Sequence, residues 1–325
     1  MNLFQRLRRG KNAKFLYYIR NYIKIIEPGC LYRFRLPFLL KQSQKRADNN
    51  YIVERVNYYN KLQKPVSCGS DAIPLNQFKL KGNIKVYYFD TFEYTRYFNK
   101  NYKINYCFGD ITKVPAVPSI VKSRPVNDHN TNSILLNLNK IRHFTFLNDN
   151  IPFEKKKDML IFRGDIIYKP HRIKFMEMYF DNPHFDIGEV PKRATYNKKW
   201  CKPKISILDH LKFKFILTLE GNDVASNLKW VMSSNSIAVM PRPKYETWFM
   251  EGKLQPDYHY IEINPEYTDV EEKLNYYIQH PEKAQEIINH AHEYISQFRN
   301  KKREKIISLL VLDKYFTYTG QKMDL

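Results

Sequence analysis

The stretch DMLIFRGDIIYKPHRIKFMEMYF, residues 158–180, decides the fold. Its apolar run Met159-Leu160-Ile161-Phe162 is short and bounded by charge, as a buried strand is. Arg163 and Gly164 close that strand. A polar loop leads to Lys169-Pro170, and from there HRIKFMEMYF repeats its apolar residues at helical spacing. A strand delivering a glycine to a loop and then a helix is the repeating unit of an α/β fold, which binds ligands at the carboxyl ends of its strands. Gly164 allows backbone to approach a ligand closely. Arg163 and Arg172 can converge there beside a helix N-terminus, a combination that favours phosphate. Read more plainly, the same arginines tie loop carbonyls.

The unit recurs in LTLEGNDVASNLKWVMSSNSIAVM, residues 217–240. A strand from Phe215 to Leu219 ends in the turn Glu220-Gly221-Asn222-Asp223, and a helix follows with Val224 to Ser226 in its first turn. Such a turn offers unpaired N–H groups to an anion. Taken alone, Asp223 reads as an N-cap and Lys229 as a solvated charge. FDIGEV (185–190), SIAVM (236–240) and HYIEIN (259–264) read as strands, and SILDHLKFKF (206–215) as a helix running into the strand above. From Val270 onward the pattern is helical. In the amino-terminal half, residues 1–46 read as basic helices broken at Pro28-Gly29, and Asn50 to Gln63 as a helix. NIKVYYFD (83–90) and YKINYCFG (102–109) read as strands flanking a helix at Thr91 to Phe98. The Pro-rich stretch 111–134 reads as loops. The expected class is α/β, with two Rossmann-like, doubly wound domains facing a cleft. The expected divisions are 1–154, 155–298 and a closing helix, 299–325, that returns to the first domain.

Composition narrows the partners. With 43% hydrophobic and 15% aromatic residues over 325 positions, the chain can bury a sizeable core and is not disordered. No window approaches the roughly 18–20 apolar residues of a membrane span, and the amino terminus has no signal-peptide core. Cys30, Cys68, Cys107 and Cys201 are scattered, without metal-ligand or disulfide-framework spacing, so reduced thiols in the cytoplasm are expected. The net charge of +21 invites a nucleic-acid reading, but it is uneven. Residues 1–46 hold twelve Lys/Arg and one acid, Glu27, and so carry eleven of those charges. Leu3, Phe4, Leu7, Phe15, Leu16, Ile19, Ile23 and Ile26 recur there at helical spacing. A basic amphipathic helix suits an anionic membrane surface, or else is an ordinary helix packed on its own domain.

Asp110 follows Gly109 at the end of YKINYCFG, where a carboxylate can serve as general base to an acceptor hydroxyl or simply cap a loop. Asp128-His129 is a rival. The sequence has no GxSxG, HExxH, Walker A or GxGxxG motif, and no carboxylate pair suited to a metal–nucleotide site.

Several of these stretches, taken in order, resemble glycosyltransferase family 90. They are FRG…PHR (Phe162–Arg172), EGNDVASNLKW (Glu220–Trp230) and LQPDYHYIEI (Leu254–Ile263). KSRPV (Lys122–Val126), LNLNKIRHF (Leu136–Phe144) and ASNLKWVMSSNS (225–236) bring the chain nearest the family's bacterial lipopolysaccharide branch. The resemblance implies a GT-B architecture, a UDP-sugar donor held mainly by the carboxy-terminal domain, inversion at the anomeric carbon, and no metal or other cofactor. It implies that Asp110, in Asp110-x-x-x-Val114-Pro115, is the base. It places Asp165 and Arg172 on the donor, with Arg163 and Gly164 in the same motif. Gly221, Asn222, Asp223, Val224, Ala225, Ser226, Asn227 and Lys229 form the second donor loop. Where eukaryotic members carry Ser-Phe-Arg, this chain has Ala225-Ser226-Asn227, so the diphosphate-binding arginine is missing there and backbone N–H groups with Ser226, Asn227 or Lys229 can substitute for it. Lys122, Ser123, Arg124, Lys140 and His143 are the expected acceptor-side residues. The expected acceptor is a hydroxyl of a lipopolysaccharide or lipooligosaccharide core or related glycan, met at the inner face of the cytoplasmic membrane, with no nucleic-acid partner. A basic nucleic-acid-binding protein and a non-catalytic scaffold of the same fold are the competing readings.

Overall fold

A computed structural model describes residues 10–191 and 194–322, which fall into two compact units. Arg6, Arg8 and Arg9 of the basic segment lie outside the described residues. No described helix is long and apolar enough to cross a membrane.

The first unit comprises residues 14–141, Lys244–Gly252 and 298–322. Its helices α1 (Lys14–Ile26) and α2 (Gly29–Gln44) break at Pro28-Gly29, as the sequence indicates, and α3 (Asn49–Tyr59) follows. Strand β1 (Ile73–Pro74) precedes α4 (Lys85–Thr95) and pairs antiparallel with β2 (Lys103–Ile104). The strand expected at NIKVYYFD is thus helix α4. Its buried residues Tyr88, Thr91 and Thr95 lie at helical spacing, while its aromatic run mimics a strand over so short a window. Conversely, the stretch 111–134 expected as loops contains β4 (Ser119–Val121), β5 (Ser123–Pro125) and β6 (Ser133–Leu135). With β3 (Tyr106–Cys107), strands β4 and β6 form a parallel sheet in the order β3-β4-β6, whose Ile120, Val121, Ile134 and Leu135 are fully buried. These strands are three residues or fewer, too short to show a period between their Pro and Asn neighbours. A short helix, α5 (Lys140–His143), follows.

The second unit comprises residues 10–13, Arg142–Pro243 and Lys253–Gln297. It contains β7 (Lys157–Gly164), α6 (Pro170–Tyr179), β8 (Phe185–Glu189), α7 (Ile207–His210), β9 (Phe213–Leu217), α8 (Leu228–Met232) and β10 (Ile237–Met240). Strand β11 (Tyr245–Thr247) belongs to the first unit and pairs antiparallel with β5. β12 (Ile261–Glu262), α9 (Val270–Gln279) and α10 (Pro281–Ser296) complete the second unit, and α11 (Lys301–Tyr318) packs on α3, α4 and α2 of the first.

The sheet of the second unit is parallel throughout and ordered β12-β10-β9-β7-β8. From the β8 edge its chain order is 2-1-3-4-5, one of the two common orders of doubly wound sheets. Leu160, Phe215, Leu217 and Val239 fill its core with Phe175 and Met176 of α6 and Ile287 and Ile288 of α10. The fold is therefore mixed α/β with a parallel sheet in each unit. Two helices differ from their expected extents. The helix expected from Val224 begins only at Leu228, and SILDHLKFKF is helical only over Ile207–His210.

Candidate active site

In an open parallel sheet, ligands sit where the strand order reverses, outside the carboxyl ends of the two strands that flank the reversal. Here those strands are β7 and β9. The first runs out into Gly164-Asp165 and the second into Leu219-Glu220-Gly221. The two glycine-bearing loops singled out in the sequence therefore meet at one place.

Arg172, in the first turn of α6, joins them. Its Nε donates to the carbonyl of Glu220 at 2.9 Å, one terminal nitrogen to Asp165 O at 2.8 Å, and the other to Leu219 O at 2.7 Å. His171 Nε2 meets the Glu220 carbonyl as well, at 2.9 Å. Burial pushes the Arg172 guanidinium down to about 10, so it is still cationic at neutral pH. Arg172 thus ties the carbonyls of both loops together, as the plainer reading of the sequence has it. The guanidinium lies just under Gly221, where an added Cβ would stand 3.8 Å from it.

Arg163 turns the other way. It donates to the carbonyls of Phe162 and Asp186 and pairs with the Asp186 carboxylate at 2.7 Å, which ties β7 to β8. Burial opposes ionisation of Asp186, but Lys202 and Arg163 outweigh it and hold its carboxyl below the usual range. Asp165 accepts from Lys169 at 3.3 Å. In the second loop Asn222 is exposed, Ser226 is half-buried, and Asp223, Val224 and Ala225 are buried. Asn227, not Asp223, stands at the N-cap position of α8, but it makes no capping bond there and its side-chain amide donates to the Leu217 carbonyl at 3.1 Å. With only five residues in α8 and Val224 to Ser226 ahead of it, no first-turn amides gather at that segment. Lys229, read alone as solvated, is fully buried.

Asp110 lies in the first unit, three residues past β3 and directly after Gly109, whose φ of +118° only glycine adopts readily. Lys122 Nζ donates to Asp110 Oδ1 at 2.6 Å. The lysine is almost wholly buried, whereas the carboxylate keeps about 30% of its side chain exposed. Ser123 Oγ exchanges hydrogen bonds with the N–H and carbonyl of Ile111, both at 3.3 Å, and fixes the loop that carries the acid. The Asp110 carboxylate is thus charge-paired on one side and open to solvent on the other. Asp128 and His129 are exposed.

A family model, Glycosyl transferase family 90, matches residues 136–315. The chain is 36% identical to the O-glucosyltransferase LpsA of Dichelobacter nodosus over 94% of its own length and 95% of that protein's. The chain belongs to glycosyltransferase family 90. More distant relatives include O-glucosyltransferase rumi of Drosophila pseudoobscura pseudoobscura, 25% identical over 54% of the chain and 45% of that protein. Protein O-glucosyltransferase 1 of Rattus norvegicus is 25% identical over 44% of the chain and 38% of its own length.

Of the residues expected on the acceptor side of this glycosyltransferase, Arg124 and Lys140 are held in ion pairs. Arg124 is fully buried, pairs with Glu246 at 2.8 Å and donates to the carbonyls of Tyr58, Tyr59 and Ser133. Lys140 pairs with Glu93 at 2.5 Å and Asp90 at 3.5 Å. Burial opposes ionisation of Glu93, but Lys140 and Lys24 outweigh it and hold its carboxyl down to about 2. His143 is buried in the second unit. The third family stretch, LQPDYHYIEI, is a turn that launches β12, with the Asp257 N–H donating to Tyr260 O and the Gln255 N–H to His259 Nδ1. Among the described residues no three His, Cys, Asp or Glu side chains are grouped as they would be around a metal ion.

One residue of the loop after β7 escapes a sequence reading. Tyr168, between β7 and α6, holds a φ of +58° and is 95% exposed. A bulky residue in the left-handed region costs energy and marks a functional constraint more often than chance. Nothing in its letter or spacing signals that conformation.

Proposed function

We propose that this protein transfers a sugar, with inversion, from a UDP-sugar to a hydroxyl of a lipopolysaccharide or lipooligosaccharide core or related glycan. The observation that carries the reading is the joining of the two donor loops by Arg172 at the point where the strand order reverses. The near full-length similarity to a protein named O-glucosyltransferase LpsA supports the glycan acceptor.

In this reading the diphosphate lies against the loops at Gly164-Asp165 and Gly221-Asn222. Arg172 contributes fixed positive charge as the leaving group becomes anionic, the stage at which a preorganised cation helps most. Asp110 takes the proton of the attacking hydroxyl as the new C1–O bond forms and the bond to UDP breaks, and Lys122 holds the carboxylate in place. UDP departs as an anion, with no metal in the step.

The experiment is a transfer assay on purified core oligosaccharide with UDP-glucose, UDP-galactose and UDP-xylose, with and without EDTA. Transfer from one donor, undiminished by EDTA and giving the opposite anomer, is expected. Loss in EDTA restored by Mn²⁺, or retention of configuration, would overturn the mechanism. Binding of none of the three donors would overturn the donor assignment.

A further inference from the structure

Helix α1 is packed with its usual faces exchanged. Its inner side is aromatic and polar. Tyr17 Oη donates to the buried Asp90 at 2.8 Å, Asn21 is buried, Lys24 pairs with Glu93 at 2.9 Å, and Tyr18 and Tyr22 set their rings against Phe89. Its aliphatic stripe faces solvent, from Phe15 (67% exposed) through Ile19 and Ile23 to Ile26 (83% exposed). A helix of a water-soluble domain normally buries that stripe. Helix α2 adds a second one, Leu31, Phe34 (87% exposed) and Phe38 (68% exposed) at i, i+3 and i+7.

The charge around these stripes has one sign. Lys14, Arg20, Arg33, Arg35, Lys41 and Lys45 are exposed. Glu27, the one acid between residues 14 and 46, is taken up by Arg96 at 2.8 Å and by Tyr32. A cavity of about 360 Å³ opens beside α2, with Arg33, Leu36 and Pro37 on one side, Tyr97, Lys100 and Tyr102 on another, and Asp313, paired with Lys322, in its wall. Exposed aliphatic and phenyl groups bordered mainly by cations complement an interface of acyl chains and anionic headgroups. A partner protein or second copy would have to be both greasy and strongly acidic on one face.

We propose that α1 and α2 form a lipid-docking surface that seats the protein on an anionic membrane, with Phe15, Ile23, Ile26, Phe34 and Phe38 entering the acyl boundary and Arg20, Arg33 and Arg35 meeting phosphate headgroups. The inference rests on these two helices and not on the donor or acceptor assignment.

The test is co-sedimentation of the full chain with vesicles of phosphatidylcholine alone and of equal parts phosphatidylcholine and phosphatidylglycerol. Binding to the anionic vesicles only, released by added salt, is expected. The double variants I26S/F34S and R20E/R35E should each weaken it by about tenfold or more while keeping the native circular dichroism spectrum. Equal binding to neutral vesicles, or binding that neither variant weakens, would overturn the proposal. So would sedimentation velocity that shows a dimer split by I26S/F34S, or RNA binding that outlasts I26S/F34S, in a protein that leaves vesicles untouched.

Discussion

Lys122 Nζ and Asp110 Oδ1 stand 2.6 Å apart, and only the acid of the pair is open to solvent. A buried ammonium costs too much to leave unpaired, so the lysine fixes the carboxylate in one place. Asp110→Asn keeps size and an acceptor oxygen for Lys122 but cannot take a proton. Sugar transfer should fall by about 10²–10⁴-fold while donor affinity, read by calorimetry, is unchanged. Transfer at the normal rate in a folded Asp110→Asn protein would pass the role to Asp128.

Arg172 and Arg163 separate two roles that the sequence joined. Arg172→Lys keeps a cation but cannot reach three carbonyls that lie in three directions. Transfer should drop by about 10²-fold, the scale for losing one preorganised donor. Each buried carbonyl left unpaired should also cost about 1–3 kcal/mol of stability, seen in denaturant unfolding. Arg163→Lys should loosen β7 against β8 and lower stability with little effect on kcat. Equal kinetic damage from both would show that Arg163 also serves the donor.

The strands of the second unit were legible because the centres of β7, β9 and β10 are buried and read as apolar runs ended by glycine or polar turns, Lys214 being the one interruption in β9. That the FRG and EGND loops each leave the carboxyl end of a strand was legible for the same reason, whereas their meeting depends on the strand order. The first unit was harder to read. Its parallel strands are three residues or fewer, and α4 carries aromatic residues on both its buried and half-buried sides, so neither shows a clean period. The pairing of Asp110 with Lys122 needs the register Cys107↔Val121, which no local pattern encodes. Burial of Lys229 and Arg124 was likewise hidden, because a lysine or arginine is written the same way whether it faces water or a core.

Tyr168 offers a test of strain kept for function. Tyr168→Gly relieves the left-handed backbone and should raise the melting temperature slightly, since a non-glycine residue in that region costs about 1 kcal/mol. If the exposed ring stacks on the nucleotide or sugar, the same variant should raise KM for the donor several-fold with kcat little changed. A variant that is stabilised and kinetically normal would leave Tyr168 with no part in donor binding.

His259 ties stability to pH within the LQPDYHYIEI turn. Its Nδ1 accepts from the Gln255 N–H at 2.9 Å, so a proton there would set two N–H groups against each other. Burial, helped by the neighbouring His290, lowers its pKa from 6.5 to about 4. The unfolded chain therefore takes up a proton near pH 6.5 that the folded protein refuses until about pH 4, and in that window stability rises with pH. The contribution is complete above about pH 6.5 and is lost progressively as pH falls to about 4. His259→Gln removes the titration, so the difference in unfolding free energy between wild type and variant should change across pH 6.5 to 4 and be flat above it. A difference that stays constant over the whole range would mean that His259 titrates alike in both states.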